Sequence, residues 1–544
     1  MASLLTHLIL PLAFAVTGVI LWLRKISPYA KKTVDSLFGQ RFWVGLAILL
    51  LTTYAAALFL VSYLPVVVDA VEANVASVSF LFLHGHPLYT EVSSSSRLSL
   101  LYGPLCDIAY SVGYMMFGPA LLSAKLTVVI LNLLLFTAMG LLFRQLFSRS
   151  ETVIVLGCLA GLFLMKEIAT LMIRGDVLIA LAVALALLAC EVRRTTLAAI
   201  LFCVGSAAAV DVKFTAIVYL LVPLTIIWHR RGAKFTLWCV AVSAALAALP
   251  FAIPGIRIFN YLDWLREASR HPLSLKLFVM NVVAAVILLA PLVFLAALRR
   301  RIDPALFSID LKHHALPITA FVLTVAGSIL VGSKVGAGRS HLIPTSLVST
   351  YLAALLWKAS RLEIMRSPVL VRYFFLAYSF VLVLPATSQL LGLWAICFNR
   401  HDYANQVLND IGRVQQIHSH QTIEIGYDAN RDESSTTNAA TLFQPQLVLT
   451  GNPMILDAAA LFDMGLSGIP IPRSTSDALA SCQIQVWLIP KGGVPFSLRN
   501  TYARDVPRRF PNPDLFGDDF QLLFARHYRK NNSSAYYDVY ECRT

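Results

Sequence analysis

Apolar stretches of about 20 residues recur along most of this 544-residue chain and constrain its fold more than any other feature. Each is long enough to cross a hydrocarbon core about 30 Å thick, and inside lipid such a stretch must be a helix. Hydrophobic residues make up 58% of the chain and charged residues 14%, which excludes an ordinary soluble domain. The pattern predicts transmembrane helices near residues 4–24, 43–64, 121–143, 152–172, 175–191, 196–210, 213–228, 235–253, 277–298, 315–332, 342–357 and 371–396.

The Lys and Arg residues behind the net charge of +14 cluster in short loops between the apolar stretches. This distribution is typical of membrane topology, so no nucleic acid is expected as a partner. Short basic loops lie in the cytoplasm, and strict alternation from the first of them places every strongly basic loop on that side. These loops are at residues 24–41, 144–149, 193–194, 230–234, 299–312 and 358–366.

The alternation holds only if the moderately apolar stretch 101–118 does not cross the membrane. This stretch has a Gly-Pro pair at each end, at Gly103-Pro104 and Gly118-Pro119, and Asp107 inside it. Such punctuation favours a helix that lies along the membrane surface. We therefore expect a juxtamembrane helix here.

Beyond residue 396 the chain becomes polar, with strand-like runs such as QTIEIGY, PQLVLT and CQIQVWLIP. The sequence predicts an all-α polytopic membrane protein of about twelve transmembrane helices with a small C-terminal α/β extramembrane domain. The transmembrane catalytic domain would cover residues 1–396, with juxtamembrane helices in an outer loop at 65–120. Residues 397–544 would form the non-cytoplasmic domain, where Cys482 and Cys542 are candidates for a disulfide.

Two acids follow the second apolar stretch, in VVVDAVEANVASVSF. The three-residue spacing of Asp69 and Glu72 puts both carboxylates on one face of a helix that begins where the chain leaves the membrane. One carboxylate there can act as a general base, and two can hold a divalent cation. The alternative is that the acids only complement the helix dipole, which explains one acid better than two.

Cations and a further acid occupy the other outward loops, including the loop at 254–276. Arg and Lys side chains there can neutralise a phosphate leaving group. Each taken alone is equally well explained as a solvated loop residue, and Lys213 as a snorkelling lysine. The candidates for phosphate binding are Arg174, Lys213, Lys334, Arg339 and His341, and the further acid is Asp176.

Several short motifs between residues 43 and 357 resemble the GT-C superfamily of membrane glycosyltransferases, which includes protein mannosyltransferases and lipid A aminoarabinose transferases. They are, in order, VDAVEAN, HGHPLYTE, LYGPL, MMFG, RGDVLIALAVALAL, DVKFTAIVYLLVP and GRSHLIPTSL. The resemblance implies that Asp69 is the catalytic acid of the first outer loop and Asp176 the acid of the second. It also implies that Lys213, Lys334, Arg339 and His341 lie near the donor phosphate.

The chain departs from the superfamily pattern in two ways. An additional apolar stretch at 4–24 precedes the expected first core helix. The acids Asp69 and Glu72 are separated by two residues rather than adjacent. This spacing leaves open which acid is the base, and whether Asp69, Glu72 and Asp176 bind a divalent cation.

Chemistry and resemblance together predict an inverting glycosyltransferase in the inner (plasma) membrane, with its active site on the non-cytoplasmic side. Its partners would be a polyprenyl-phosphate sugar donor, membrane lipid and an acceptor glycan, lipid or protein. Two alternatives stay open. One is a transporter or flippase of a lipid-linked or anionic substrate, which would place charged residues near the membrane midplane. The other is a receptor or assembly protein that acts through residues 397–544.

Overall fold

The structure is a computed structural model, and helices account for most of it. The predicted helix at 4–24 lies outside the described part of the chain. The structure describes residues 40–98, 102–165, 168–302, 304, 315–361, 368–428, 442–498 and 515–543.

Helices follow one another through the membrane region with short connections. Among the described residues, eight helices are long and apolar enough to cross a membrane. The helices are α1 (Gln40–Tyr63), α2 (Ala70–Leu83), α3 (Pro104–Phe117), α4 (Leu121–Leu146), α5 (Arg149–Met165), α6 (Asp176–Glu191), α7 (Thr195–Val212), α8 (Leu221–Arg231), α9 (Ala233–Ala248), α10 (Ile258–Ser269), α11 (Leu275–Ile302), α12 (Ala315–Gly332), α13 (Ile343–Ala359) and α14 (Pro368–Ile417).

Every predicted transmembrane stretch from residue 43 onward coincides with helical structure, which confirms the polytopic helical fold. One predicted helix, at 213–228, is divided into a 3₁₀ helix at Phe214–Leu220 and the α-helix α8. Pro223 stands in the first turn of α8, where its missing N–H removes no hydrogen bond within the helix. The division therefore places the proline where an α-helix tolerates it best.

The centre of the membrane region is α6, which is buried along almost its whole length between α4, α7 and α13. Its alanine-rich sequence gives neighbouring backbones room to approach, as is common between membrane helices. The contact with α7 is an example: a Cβ added at Gly205 would lie 2.6 Å from the carbonyl oxygen of Ala182. A larger residue at position 205 would push the two helices apart.

The outer loop after α1 contains two short helices, α2 and α3, of 14 residues each. A helix of this length extends about 21 Å, which is less than the hydrocarbon thickness. The helix Pro104–Phe117, within the stretch predicted to be juxtamembrane, is thus too short to cross. Pro104 stands in the first turn of α3, where its missing N–H costs nothing, and Gly118 ends the helix with a φ of 91°.

The C-terminal region contains a four-stranded sheet in the order β1-β2-β4-β3. β1 is parallel to β2, and the other two pairings are antiparallel. The elements after α14 are β1 (Ile423–Ile425), α15 (Gln444–Leu449), α16 (Ala458–Ser467), α17 (Arg473–Ala480), β2 (Val486–Pro490), α18 (Asp518–His527), β3 (Tyr528–Ser533) and β4 (Tyr537–Cys542).

This region confirms the predicted α/β character and the disulfide between Cys482 and Cys542, whose Cα atoms are 5.9 Å apart. The run PQLVLT is not a strand but the helix α15, because Pro445 in its first turn favours a helix start. α14 is 50 residues long and passes through residues 396 and 397 without a break. The domain boundary at that point stays a prediction.

The orientation of the chain can be tested by cysteine labelling in intact cells. Phe259 is 78% exposed on α10, and Arg193 is exposed in a loop predicted to be cytoplasmic. A membrane-impermeant maleimide should label the Phe259→Cys variant and leave the Arg193→Cys variant unlabelled until the cells are opened. The reverse pattern would show that the topology is inverted.

Candidate functional site

Asp69 begins helix α2 at the point where the chain emerges from α1. Its side chain caps the helix, with Oδ1 accepting a hydrogen bond of 2.9 Å from the backbone N–H of Glu72. Aspartate is among the preferred residues at this position. The side chain stays 33% exposed, and its Oδ2 lies 3.5 Å from Nη1 of Arg174. Asp69 is thus fixed in position and still reachable.

Glu72 is completely buried, unlike Asp69. Its Oε2 accepts a 2.5 Å hydrogen bond from the N–H of Val68, and its Oε1 accepts a 2.8 Å hydrogen bond from the N–H of Ile173. Burial and the neighbouring Asp69 carboxylate raise the pKa of Glu72. The sequence left open whether Glu72 is the base. Its burial does not suit that role, because an acceptor substrate cannot reach either carboxylate oxygen.

Arg174 lies between two carboxylates. Its Nε is 4.0 Å from Oδ2 of Asp176, which is the first residue of α6 and is buried. The backbone of Arg174 is held by Tyr110, whose hydroxyl donates to the Arg174 carbonyl at 2.9 Å and accepts from its N–H at 3.0 Å. The structure therefore brings together Asp69, Arg174 and Asp176, three of the residues that the sequence predicted for the site.

Lys213 and His341 form a second pair, with Nζ and Nε2 3.3 Å apart. The backbone of His341 is fixed by the hydroxyl of Tyr219, which donates to its carbonyl at 2.8 Å. Tyr102 joins this pair to the first group. Its hydroxyl donates to Asp176 at 3.4 Å, while Nζ of Lys213 lies 5.4 Å from the centre of its ring. We call the six residues Asp69, Tyr102, Arg174, Asp176, Lys213 and His341 the polar cluster.

Lys334 is held at the end of α10. Its Nζ donates to the carbonyls of Ala268 and Ser269, at 3.4 and 3.2 Å. A cation at a helix C-terminus is favoured by the unpaired carbonyls there, and the contact of Lys334 with phosphate stays a prediction. Arg339 lies in the same 3₁₀ turn as His341, at Arg339–Leu342, and its contact with phosphate stays a prediction.

The acids of the site contact other groups of the protein. Within the described residues, no group of three or more His, Cys, Asp or Glu side chains is placed to hold a metal ion. Asp69 and Asp176 share the guanidinium of Arg174 instead, and both oxygens of Glu72 accept backbone N–H groups. Dependence of the protein on a metal ion stays a prediction.

Two residues that the sequence analysis missed hold this site together. Tyr102 belongs to the motif LYGPL, but it carries no charge, so it was not among the candidate site residues. Lys125 did leave a signal, as a single lysine at the start of a long apolar run. Its buried Nζ donates to the carbonyls of Val61 at 2.8 Å and Val66 at 2.9 Å, and also to that of Leu64. Lys125 thereby fixes the turn that leads to Asp69.

The different roles of Asp69 and Glu72 can be separated by matched amide substitutions. Glu72→Gln leaves one buried N–H without a suitable acceptor and should cost about 1–3 kcal/mol, seen as a lower melting temperature in detergent. Asp69→Asn should leave the melting temperature nearly unchanged, because asparagine caps a helix as well as aspartate does. Equal melting temperatures for the two variants would contradict the structural role of Glu72.

No protein-family model and no curated protein matches the chain. Two crystal structures of ArnT from Cupriavidus metallidurans are similar to it, each at 12% sequence identity. The structure bound to undecaprenyl phosphate has a TM-score of 0.51, and the match covers 91% of this chain and 98% of that one. For the apo structure the TM-score is 0.53, with 91% and 97% covered. This membrane protein therefore has the fold of these ArnT structures.

Proposed function

We propose that the protein is a membrane glycosyltransferase that moves a sugar from a polyprenyl-phosphate donor to an acceptor hydroxyl on the non-cytoplasmic face. The polar cluster carries this proposal, since it combines a reachable carboxylate with a group of cations on the GT-C fold. ArnT, which shares the fold, has been crystallised with undecaprenyl phosphate. The acceptor would be a glycan, a lipid or a protein.

Asp69 is the best candidate for the general base. One of its oxygens caps α2, and the other lies at the edge of the cluster beside Arg174. A positioned carboxylate that takes the proton of the attacking hydroxyl accelerates such a reaction roughly 10²–10⁴-fold. Asp176 would keep Arg174 in place beside Asp69, since it lies on the other side of the guanidinium.

The cations of the cluster suit the departing phosphate. As the acceptor oxygen bonds to C1 of the sugar from one side, the bond between C1 and the phosphate oxygen breaks on the other. Both electrons of that bond go to the phosphate, while the hydroxyl proton goes to Asp69. The added negative charge would be stabilised by Lys213, with Arg174 close by. Such a single displacement inverts the anomeric centre.

The first test is the binding of undecaprenyl phosphate to the purified protein. Lys213→Met should weaken this binding by about tenfold or more, because a partly buried charge-assisted contact with phosphate is lost. Lys276→Met is the matched control, since Lys276 is exposed at the start of α11 and outside the polar cluster. Failure of the wild-type protein to bind undecaprenyl phosphate would overturn the proposal.

The second test addresses the base. Purified protein is mixed with a radiolabelled polyprenyl-phosphate sugar and an extract of the host's envelope lipids, glycans and proteins, and label transfer is followed. Asp69→Asn should bind undecaprenyl phosphate like the wild type and lose transfer by roughly 10²-fold or more. Transfer at the wild-type rate by this variant would exclude Asp69 as the base.

A further inference from the structure

Helix α16 of the C-terminal region is attached at both ends to the outer loops that carry the site. At its start, the buried capping residue Asp457 accepts a hydrogen bond from the N–H of Ala460, and the helix packs there against α2. Near its end, the hydroxyl of Ser467 donates to the carbonyl of Glu267 on α10 at 2.9 Å. α16 therefore lies directly beside the helix that Asp69 begins.

Asp463 is the acid in the middle of α16, and hydrogen bonds to its backbone carbonyl hold it in place. The carbonyl of Asp463 accepts hydrogen bonds from Nε2 of His271 at 3.0 Å and from the hydroxyl of Ser467 at 3.1 Å. These contacts fix the position of the residue without using the carboxylate. A change of the carboxylate to an amide should therefore leave the attachment of α16 intact.

The carboxylate of Asp463 points toward the loop between α12 and α13. A Cβ added at Gly336 in this loop would lie 3.6 Å from Oδ1 of Asp463. Gly336 has a φ of 86°, a conformation that glycine adopts without strain. The same loop begins at Lys334, which is bonded to the end of α10, and leads into the turn that carries His341. Asp463 thus faces the loop that leads to His341 of the polar cluster.

Asp463 also interacts electrostatically with Lys213. Burial raises the pKa of Asp463 to about 7, with a further contribution from Asp457, and the charge of Lys213 opposes this rise. Lys213 in turn interacts with Asp176 and Arg174. The charges of Asp463 and Lys213 thus influence each other, although the two residues are about 250 positions apart in the chain.

A carboxylate repels a phosphate, so its natural contact is with the part of the donor next to the phosphate. In a polyprenyl-phosphate sugar, the phosphate has the apolar polyprenyl chain on one side and the sugar on the other. The polyprenyl chain belongs in the membrane, whereas Asp463 comes from the extramembrane C-terminal region. The sugar is thus the only polar part of the donor that a carboxylate would attract.

We infer that Asp463 is a specificity-determining residue that binds hydroxyl or amino groups of the transferred sugar while Lys213 binds the adjoining phosphate. This inference rests on the proposed function and assigns to the C-terminal region the recognition of the sugar. Carboxylate oxygens accept strong hydrogen bonds from hydroxyl and amino groups. A site built to bind these groups of a sugar rejects sugars that lack them.

Competition binding separates this role from the proposed function. Fluorescent undecaprenyl phosphate is displaced by unlabelled undecaprenyl phosphate and by undecaprenyl-phosphate esters of glucose, mannose and an aminopentose. For each sugar, the ratio of the affinity for its undecaprenyl-phosphate ester to the affinity for undecaprenyl phosphate gives the contribution of that sugar to binding. Asp463→Asn should reduce this ratio by about tenfold for the preferred sugar and leave the affinity for undecaprenyl phosphate itself unchanged or higher. Asp477→Asn is the matched control, because Asp477 is exposed on the neighbouring helix α17.

The outcomes are distinct. No binding of undecaprenyl phosphate by the wild type would overturn the proposed function. Binding of undecaprenyl phosphate with the same sugar contribution in Asp463→Asn and the wild type would overturn only the role of Asp463. Equal affinity of the wild type for undecaprenyl phosphate and all of its sugar esters would overturn that role as well. A loss of affinity for undecaprenyl phosphate in Asp463→Asn would show that the residue supports the fold instead.

Discussion

The buried carboxylate of Glu72 makes the contact on which the rest of the site depends. It accepts one backbone N–H from Val68, just before α2, and another from Ile173, about a hundred residues later. A buried carboxylate held by two N–H groups cannot shift without leaving polar groups unpaired in an apolar surrounding, which is costly. Asp69 directly follows Val68, and Arg174 directly follows Ile173. The two hydrogen bonds of Glu72 therefore bring the side chains of Asp69 and Arg174 together.

The low polarity around the site explains why so many of its polar groups have fixed partners. Lys125 satisfies the carbonyls of the turn after α1, and Tyr110 satisfies both backbone groups of Arg174. Tyr102 links the acids to Lys213 through its hydroxyl and its ring. In such surroundings electrostatic contacts are stronger than in water. The arrangement is preorganised for a reaction in which negative charge moves to a phosphate.

The membrane region and the C-terminal region build the site together. α14 runs through the predicted boundary between them, and α16 packs against α2 and α10. The extramembrane residues are therefore not an appended module on a flexible linker. Their attachment brings Asp463 to the loop that leads to His341, so the donor pocket that we propose has contributions from both parts.

The sequence by itself determined the helical membrane fold, because apolar length and the backbone's need for internal hydrogen bonds leave no alternative to helices. It also determined that Asp69 and Glu72 lie on one face at the start of a helix, since residues three positions apart share a helix face. Only the tertiary structure decided that Asp69 is exposed and Glu72 buried, and that Lys334 bonds to α10. Contacts between residues far apart in the chain decide those questions, and neither periodicity nor charge at one position encodes which distant backbone group will arrive beside it.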